Sequence, residues 1–187
     1  MAILSKGLAR PNAEEIFGKE LIEQTEKQKK VTSGDELLKE YSIKDFPFDV
    51  ASFATNKLGI LIKYDTLDND ISGKLSKEGD NYVITVEERH PENRQRFTIA
   101  HELAHYFLHK DLKEKFEDTV FFRGADSDTF EFQANLFAGD ILMPKNEFLK
   151  QIRNGNSEIE NLAKHFGVST LAIRVRAKQL DLQGHGL

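Results

Sequence analysis

The 187-residue chain contains no cysteine. This absence excludes a disulfide scaffold, a cysteine-based zinc finger, a thiolate nucleophile and an iron–sulfur cluster, and it fits a reducing compartment. The sequence also has no apolar run near the ~18 residues of a membrane span. Its first ten residues are mixed in character and have no h-region of a signal peptide. We therefore expect a cytoplasmic protein with no membrane partner.

The chain also lacks an excess of basic residues. The chain has 26 Lys and Arg against 31 Asp and Glu, a net charge of −5. A protein that binds mainly the nucleic-acid backbone is usually basic, so the composition argues against that class. Hydrophobic residues make up 39% of the chain, which is enough for the core of one domain of ordinary size.

The apolar periodicity predicts an α+β fold that is mainly helical, with a small antiparallel sheet before the central helix. A polar helix is predicted at 13–30; it is either a docking element or a solvated surface helix. A strand is predicted at 60–64, then a hairpin of 71–76 and 82–86. A second helix is predicted to start at 33–36, and the remaining helices are predicted at 45–58, 91–110, 128–142, 145–153 and, as a pair, 158–180.

The central helix contains the pattern HExxH, from His101 to His105. Residues four apart share one face of a helix, so two neutral imidazoles can hold one metal ion there. Glu102 lies beside them and is placed to take a proton from metal-bound water. The alternative is a buried helix with two hydrogen-bonded histidines. It is disfavoured because the flanking residues are apolar and offer these histidines few partners.

A catalytic zinc site needs a third protein ligand, and two residues compete for that role. Asp111 lies ten residues after His101, but this spacing needs a tight turn where the chain has Leu108. Glu131 lies on the next predicted helix, with Asn135 one turn later on the same face. Glu131 can then bind the metal while Asn135 hydrogen-bonds a metal-bound imidazole. We favour Glu131 and interpret Asp111 as a solvated residue.

Three stretches together resemble the ImmA/IrrE family of zinc metallo-endopeptidases: RFTIAHELAH with Leu108 and His109, ExxANxFA from Glu131, and ILMP from Ile141. The likeness spans about 45–182. The resemblance implies a zincin-like, gluzincin-type fold, with zinc held by His101, His105 and Glu131 and with Glu102 as catalytic base. Many family members have Gly where this chain has Ala104, and Glu where it has Gln133.

The resemblance also implies a function. The expected substrate is a helix-turn-helix transcriptional repressor, whose cleavage would relieve repression of a prophage, mobile-element or stress circuit. The alternative is a catalytically weak regulatory protein that binds a protein or DNA and has a structural zinc. An intact Glu102 favours the protease, because a structural site has no need of a general base.

Two further features of the proposed site stay open in the sequence. The oxyanion of peptide hydrolysis needs a hydrogen-bond donor, and Tyr106, His109 and Arg96 are near enough in sequence to supply it.

A protease also holds its substrate extended. We expect the strand before the central helix to be an edge strand that pairs with the substrate backbone; its residues are Tyr82, Val83, Ile84, Thr85, Val86 and Glu87.

The C-terminal segment has helix-turn-helix spacing, with Ala163, Gly167 and Ile173 as small, turn and core residues. DNA binding is therefore possible, but from Glu158 onward there are only four basic residues against three acidic ones. We favour a helical pair packed on the core. The predicted organisation is an N-terminal helical extension (1–44), a metallopeptidase core (45–153) and this C-terminal segment (154–187).

Overall fold

The computed structural model describes residues 31–68, 70–110 and 127–182. The helix predicted at 13–30 and the rejected ligand Asp111 lie outside the described residues. Within these ranges the chain folds into seven helices and one three-stranded sheet, so the α+β class is confirmed.

In the described part of the chain, two helices precede the three strands and five helices follow them. The strands are β1 (Leu61–Asp65), β2 (Gly73–Glu78) and β3 (Asn81–Glu87). The helices are α1 (Gly34–Glu40), α2 (Val50–Leu58), α3 (Glu92–Leu108), α4 (Ser127–Leu142), α5 (Lys145–Arg153), α6 (Ile159–Phe166) and α7 (Thr170–Gln179).

Local signals in the sequence account for several boundaries. Helix α2 begins after Asp49, whose side chain accepts a hydrogen bond from the Ser52 N–H at 3.0 Å, and it ends at Gly59 with φ of 67°. A left-handed backbone conformation at the end of a helix favours glycine. The C-terminal helices follow the same rule, because Gly167 ends α6 with φ of 63° and Ser169 caps α7.

The sheet differs from the predicted antiparallel one. Its strand order is β1-β3-β2, with β1 parallel and β2 antiparallel to β3. The expectation that 82–87 forms an edge strand is therefore wrong: β3 is central and hydrogen-bonded on both sides. Its residues Val83, Ile84 and Val86 are all fully buried. Both faces of the strand are thus covered, as in a strand with neighbours on each side.

Among the described residues, β2 pairs with β3 alone, so it forms the free edge of the sheet on the side of α3. The Ser72 carbonyl accepts a hydrogen bond from the Glu87 N–H. This bond shows which residues of β2 direct their backbone groups toward β3. Paired and unpaired positions alternate in an antiparallel ladder. The backbone groups of Gly73, Leu75 and Lys77 therefore point away from β3, toward the free edge.

The core lies between the sheet, α3 and α4, and the C-terminal helices pack on it. Phe148 of α5 stacks on Phe166 of α6, with ring centroids 5.6 Å apart. Arg176 of α7 is buried; it contacts Asp140 of α4 at 2.6 Å and donates to the Met143 carbonyl at 2.9 Å. In the described part of the chain, no helix is long and apolar enough to cross a membrane.

Gly73 marks the place where β2 meets α3. A Cβ at this position would collide with the Thr98 side chain and lie 3.1 Å from the Thr85 carbonyl oxygen. We expect Gly73→Ala to lower the free energy of unfolding by about 1–3 kcal/mol through overpacking. Thr98→Ser removes the colliding methyl group and keeps the hydroxyl that donates to the Arg94 carbonyl.

The double variant should therefore recover part of that loss, and urea unfolding measures all three proteins. Unchanged stability of Gly73→Ala, or no recovery in the double variant, would contradict this packing of β2 on α3.

Candidate metal centre

Three side chains from two helices meet at one point. His101 and His105 lie one turn apart on α3, and their Nε2 atoms are 3.1 Å apart. Glu131, in the first turns of α4, places Oε2 3.1 Å from His101 Nε2 and Oε1 3.3 Å from His105 Nε2. The α3–α4 contact thus brings together the three residues that the sequence selected.

This triangle has the dimensions of a metal site. Zinc binds imidazole nitrogen and carboxylate oxygen at about 2.0–2.2 Å, and two ligands at a tetrahedral angle then lie roughly 3.3 Å apart. The measured edges are 3.1 to 3.3 Å, and the three ligand atoms lie within 4.8 Å of one another. Two nitrogens and one carboxylate are also the donor set of a catalytic zinc site with a fourth position open.

Both imidazoles are held through their other ring nitrogen. His101 Nδ1 lies 3.1 Å from Asn135 Oδ1. His105 Nδ1 lies 3.0 Å from Nδ1 of the buried His109, whose Nε2 lies 2.9 Å from Gln133 Oε1. A partner on Nδ1 fixes the ring orientation and leaves Nε2 for the metal. The i+4 spacing of His109 from His105 was the available sequence signal for this contact.

Electrostatics at the triangle also suit a cation. Burial lowers the pKa of His105 to about 3, which keeps this imidazole neutral. Burial acts on His101 in the same direction, but its hydrogen bond to Glu131 and the nearby Glu102 charge outweigh it, and the pKa of His101 is raised. The same hydrogen bond lowers the pKa of Glu131. Protons and metal therefore compete for His101, so metal affinity should fall as the pH falls.

Glu102 lies in the cleft beside this triangle. Its side chain is buried, and the outward-pointing N–H of Leu75 on β2 donates to its carboxylate. Burial raises the pKa of Glu102 to about 7, and the charge of Glu131 adds to the rise. A carboxyl group with such a pKa can both take and give a proton near neutral pH.

The cleft itself has a volume of about 460 Å³. One wall is the segment from Asp70 through the start of β2, and the opposite wall consists of α3 and α4. Arg94 and Lys74 line this cleft, and neither belongs to a motif that would select it from the sequence. Arg94 is two turns before His101 on the same helix face, which was the signal that could have found it.

The three predicted oxyanion donors have other contacts. Arg96 donates to the carbonyls of Gly167 and Phe48, at 3.1 and 2.8 Å. Tyr106 packs edge-to-face on Tyr82, with centroids 5.0 Å apart. His109 lies behind His105, as described above. The structure therefore places all three side chains outside the cleft, because each lies on a face of α3 that is turned toward the core or toward α6.

The role of Glu131 can be tested by metal content. We expect the purified wild type, offered zinc at neutral pH, to retain about one ion per chain, and Glu131→Ala to bind zinc more than about 100-fold more weakly, since one of three ligands is lost. Elemental mass spectrometry and a competition titration measure this. Asp128→Ala is the matched control, because Asp128 is an exposed acid on the same helix. Equal loss in both variants would contradict the assignment.

The contact between His109 and His105 makes a separate prediction. His109→Leu should weaken zinc binding by about 10- to 100-fold, the usual effect of losing a partner of a metal-bound imidazole. Gln133→Ala should weaken it less, because Gln133 acts only through His109. Competition with a chromogenic chelator gives both affinities. Unchanged affinity in His109→Leu would contradict the role of this residue in orienting His105.

Comparison with known proteins places the chain in a family. The family model of the IrrE N-terminal-like domain (Peptidase_M78) matches residues 55–178, which include all of α3 and α4. Metallopeptidase ImmA of Bacillus subtilis (strain 168) is 35% identical over 107 residues, which are 56% of this chain and 60% of that protein. The chain thus matches less than two thirds of the length of this relative.

The fold has a counterpart among solved structures. A transcriptional regulator of Mycobacterium tuberculosis superposes with a TM-score of 0.59 at 20% identity, over 78% of this chain and 44% of that one. At this identity the likeness concerns the fold alone. The family model and the identity with ImmA carry the assignment: the chain belongs to the ImmA/IrrE family of metallopeptidases.

Proposed function

We propose that this chain is a zinc-dependent endopeptidase. The observation that carries the proposal is the position of Glu102, which is buried in the same cleft as His101, His105 and Glu131 and is held by the free edge of the sheet. A purely structural metal site has no use for a carboxyl group of this kind beside an open cleft.

The side chains have distinct roles in this proposal. His101, His105 and Glu131 bind zinc, which when present supplies Lewis-acid activation of water and of the peptide carbonyl. The Glu102 carboxylate accepts the proton of the attacking water and then delivers it to the leaving amine nitrogen. Asn135 orients the imidazole of His101. Arg94, on the cleft wall, is the donor we assign to the substrate side of the reaction.

The strand that holds the substrate is β2 in this proposal, in place of the buried β3. Residues Gly73 to Leu75 line the cleft, and the outward backbone groups of β2 lie along it. An extended peptide can add to such an edge as one more strand. The strand also runs past Glu102, which accepts from the Leu75 N–H, so pairing would place a peptide bond near the proton acceptor.

The proposed substrate is a helix-turn-helix repressor of the cytoplasm. The proposal is supported by membership of the ImmA/IrrE metallopeptidase family, and cleavage of the repressor would relieve repression of a prophage, mobile-element or stress circuit. The C-terminal helices act here as a packed pair rather than as a DNA reader. Of the three basic residues on α7, Arg176 is buried against Asp140 and the Met143 carbonyl, so it is turned away from any phosphate backbone.

The proton-acceptor role can be tested with Glu102→Gln. This variant keeps the size of the side chain and leaves the three ligands in place, so it should retain zinc. It should lose peptide cleavage by about 10²- to 10⁴-fold, the range for removal of a general base. The assay is proteome-wide mapping of new N-termini after cells express the wild type or the variant.

Repressor-derived N-termini present only with the wild type would support the proposal. Equal cleavage by Glu102→Gln would contradict the mechanism. Retained zinc with no wild-type cleavage of any protein would favour the alternative, a regulatory binding protein with a structural metal.

The role of β2 can be tested at Lys77. Lys77→Pro removes an N–H that points to the free edge and not to β3, so the ladder between the two strands is kept. Loss of one hydrogen bond to the substrate should slow cleavage about 2- to 10-fold. Lys77→Ala is the control for the side chain alone. If the two variants cleave at the same rate, β2 does not pair with the substrate at this position.

A further inference from the structure

An apolar groove of about 530 Å³ adjoins the metal cleft. Its floor contains Phe97 of α3, Gly139 of α4 and Met143 just after α4, and its outer wall is α7. The α7 residues Leu171 and Val175 lie one turn apart on this wall and are 67% and 50% exposed. These are two of the five large apolar side chains that are exposed in the described part of the chain.

The groove and the cleft share part of their lining. Arg94 and Phe97 line both of them. Helices α3 and α4 run antiparallel, because His101 contacts Asn135 while His109, further along α3, contacts Gln133. The groove therefore follows the same seam between the two helices, toward the start of α3 and the end of α4.

The distance from the metal ligands to the groove is short. Phe97 is four residues before His101, and Gly139 is four residues after Asn135. Each step is about one helical turn, or roughly 5.4 Å. An extended chain advances about 3.3 Å per residue. A peptide whose scissile bond lies at the metal centre thus reaches the groove within about two to three residues.

We propose that this groove binds apolar side chains of the polypeptide that is cut in the cleft, two to three residues from the scissile bond. The inference rests on the proposed endopeptidase function and adds a substrate class to it: segments with Leu, Ile, Met or Phe at that distance. Arg94 is exposed at the junction, where it donates to Ser72 Oγ at 3.0 Å. A basic substrate residue next to the apolar one is therefore disfavoured.

Gly139 gives a way to close the groove without adding charge. A Cβ there would lie 3.7 Å from Gln179 Oε1 and 3.9 Å from Arg176 Nη1, which are ordinary contacts. The backbone at this position therefore has room for a Cβ, and the rest of a leucine side chain would extend into the groove. Leu171→Glu tests the opposite wall by placing a charge on it. Leu61→Glu is the matched control, because Leu61 is 49% exposed on β1, at the other edge of the sheet.

The probes are tripeptide hydroxamates, since the hydroxamate group binds zinc and sets the register of the peptide. One set has the hydroxamate at the N-terminus and one at the C-terminus, and each compares Leu with Ser at the second and third residues. Calorimetry on the zinc-loaded full chain gives the affinities. In at least one set, Leu should improve binding about tenfold or more, the effect of burying one leucine side chain.

That gain should disappear in Gly139→Leu and Leu171→Glu and persist in Leu61→Glu. Hydroxamates that bind equally well with Ser and Leu in both sets would overturn the groove proposal and leave the metal centre intact. Failure of acetohydroxamate itself to bind would overturn the proposed function and this inference together. A wild-type oligomer that Leu171→Glu converts to monomer would assign the groove to a second copy of the chain, which also overturns the proposal.

Discussion

The contact between α3 and α4 is the constraint on which the rest of the site depends. Two of the three proposed ligands come from one helix and the third from the other, so the triangle exists only at one helix separation. Four alanines on these two helices are almost or completely inaccessible to solvent: Ala100, Ala104, Ala134 and Ala138. Small side chains allow close approach of helices. Ala104, one turn from Ala100 on α3, fits this pattern.

Burial of α3 has a second consequence, because polar groups inside a helix pair need partners. His105 is paired with His109, and His109 with Gln133 of α4. Glu102 accepts from a backbone N–H of β2. Gln133 thus touches the ligands only through His109. The same burial raises the pKa of Glu102 and lowers that of His105. Burial of α3 therefore accounts both for the hydrogen bonds that orient the ligands and for the raised pKa of Glu102.

The local features of the fold and the site could be predicted from the sequence, and the long-range pairings could not. Helix spacing placed His101 and His105 on one face, and glycines at 59 and 167 correctly marked helix ends. Nothing local states which strands pair. The alternation in 82–87 resembled a half-exposed hairpin strand, whereas β3 gains a parallel neighbour from β1 and is buried on both faces.

The same limit applies to the site. Arg96 lies close to His101 in sequence, but its partners, Phe48 and Gly167, are 48 and 71 residues away along the chain. Its role in joining α3 to α6 and to the segment before α2 needs the tertiary structure. The domain boundaries proposed at 44 and 153 stay predictions.

Whether His101, His105 and Glu131 hold one metal ion can be tested directly by anomalous diffraction at the zinc edge from crystals grown with zinc at neutral pH. We expect one strong peak about 2.0–2.2 Å from His101 Nε2, His105 Nε2 and a Glu131 carboxylate oxygen, with Glu102 not bound to it. A peak elsewhere in the chain, or one in which Glu102 replaces Glu131 as ligand, would contradict it.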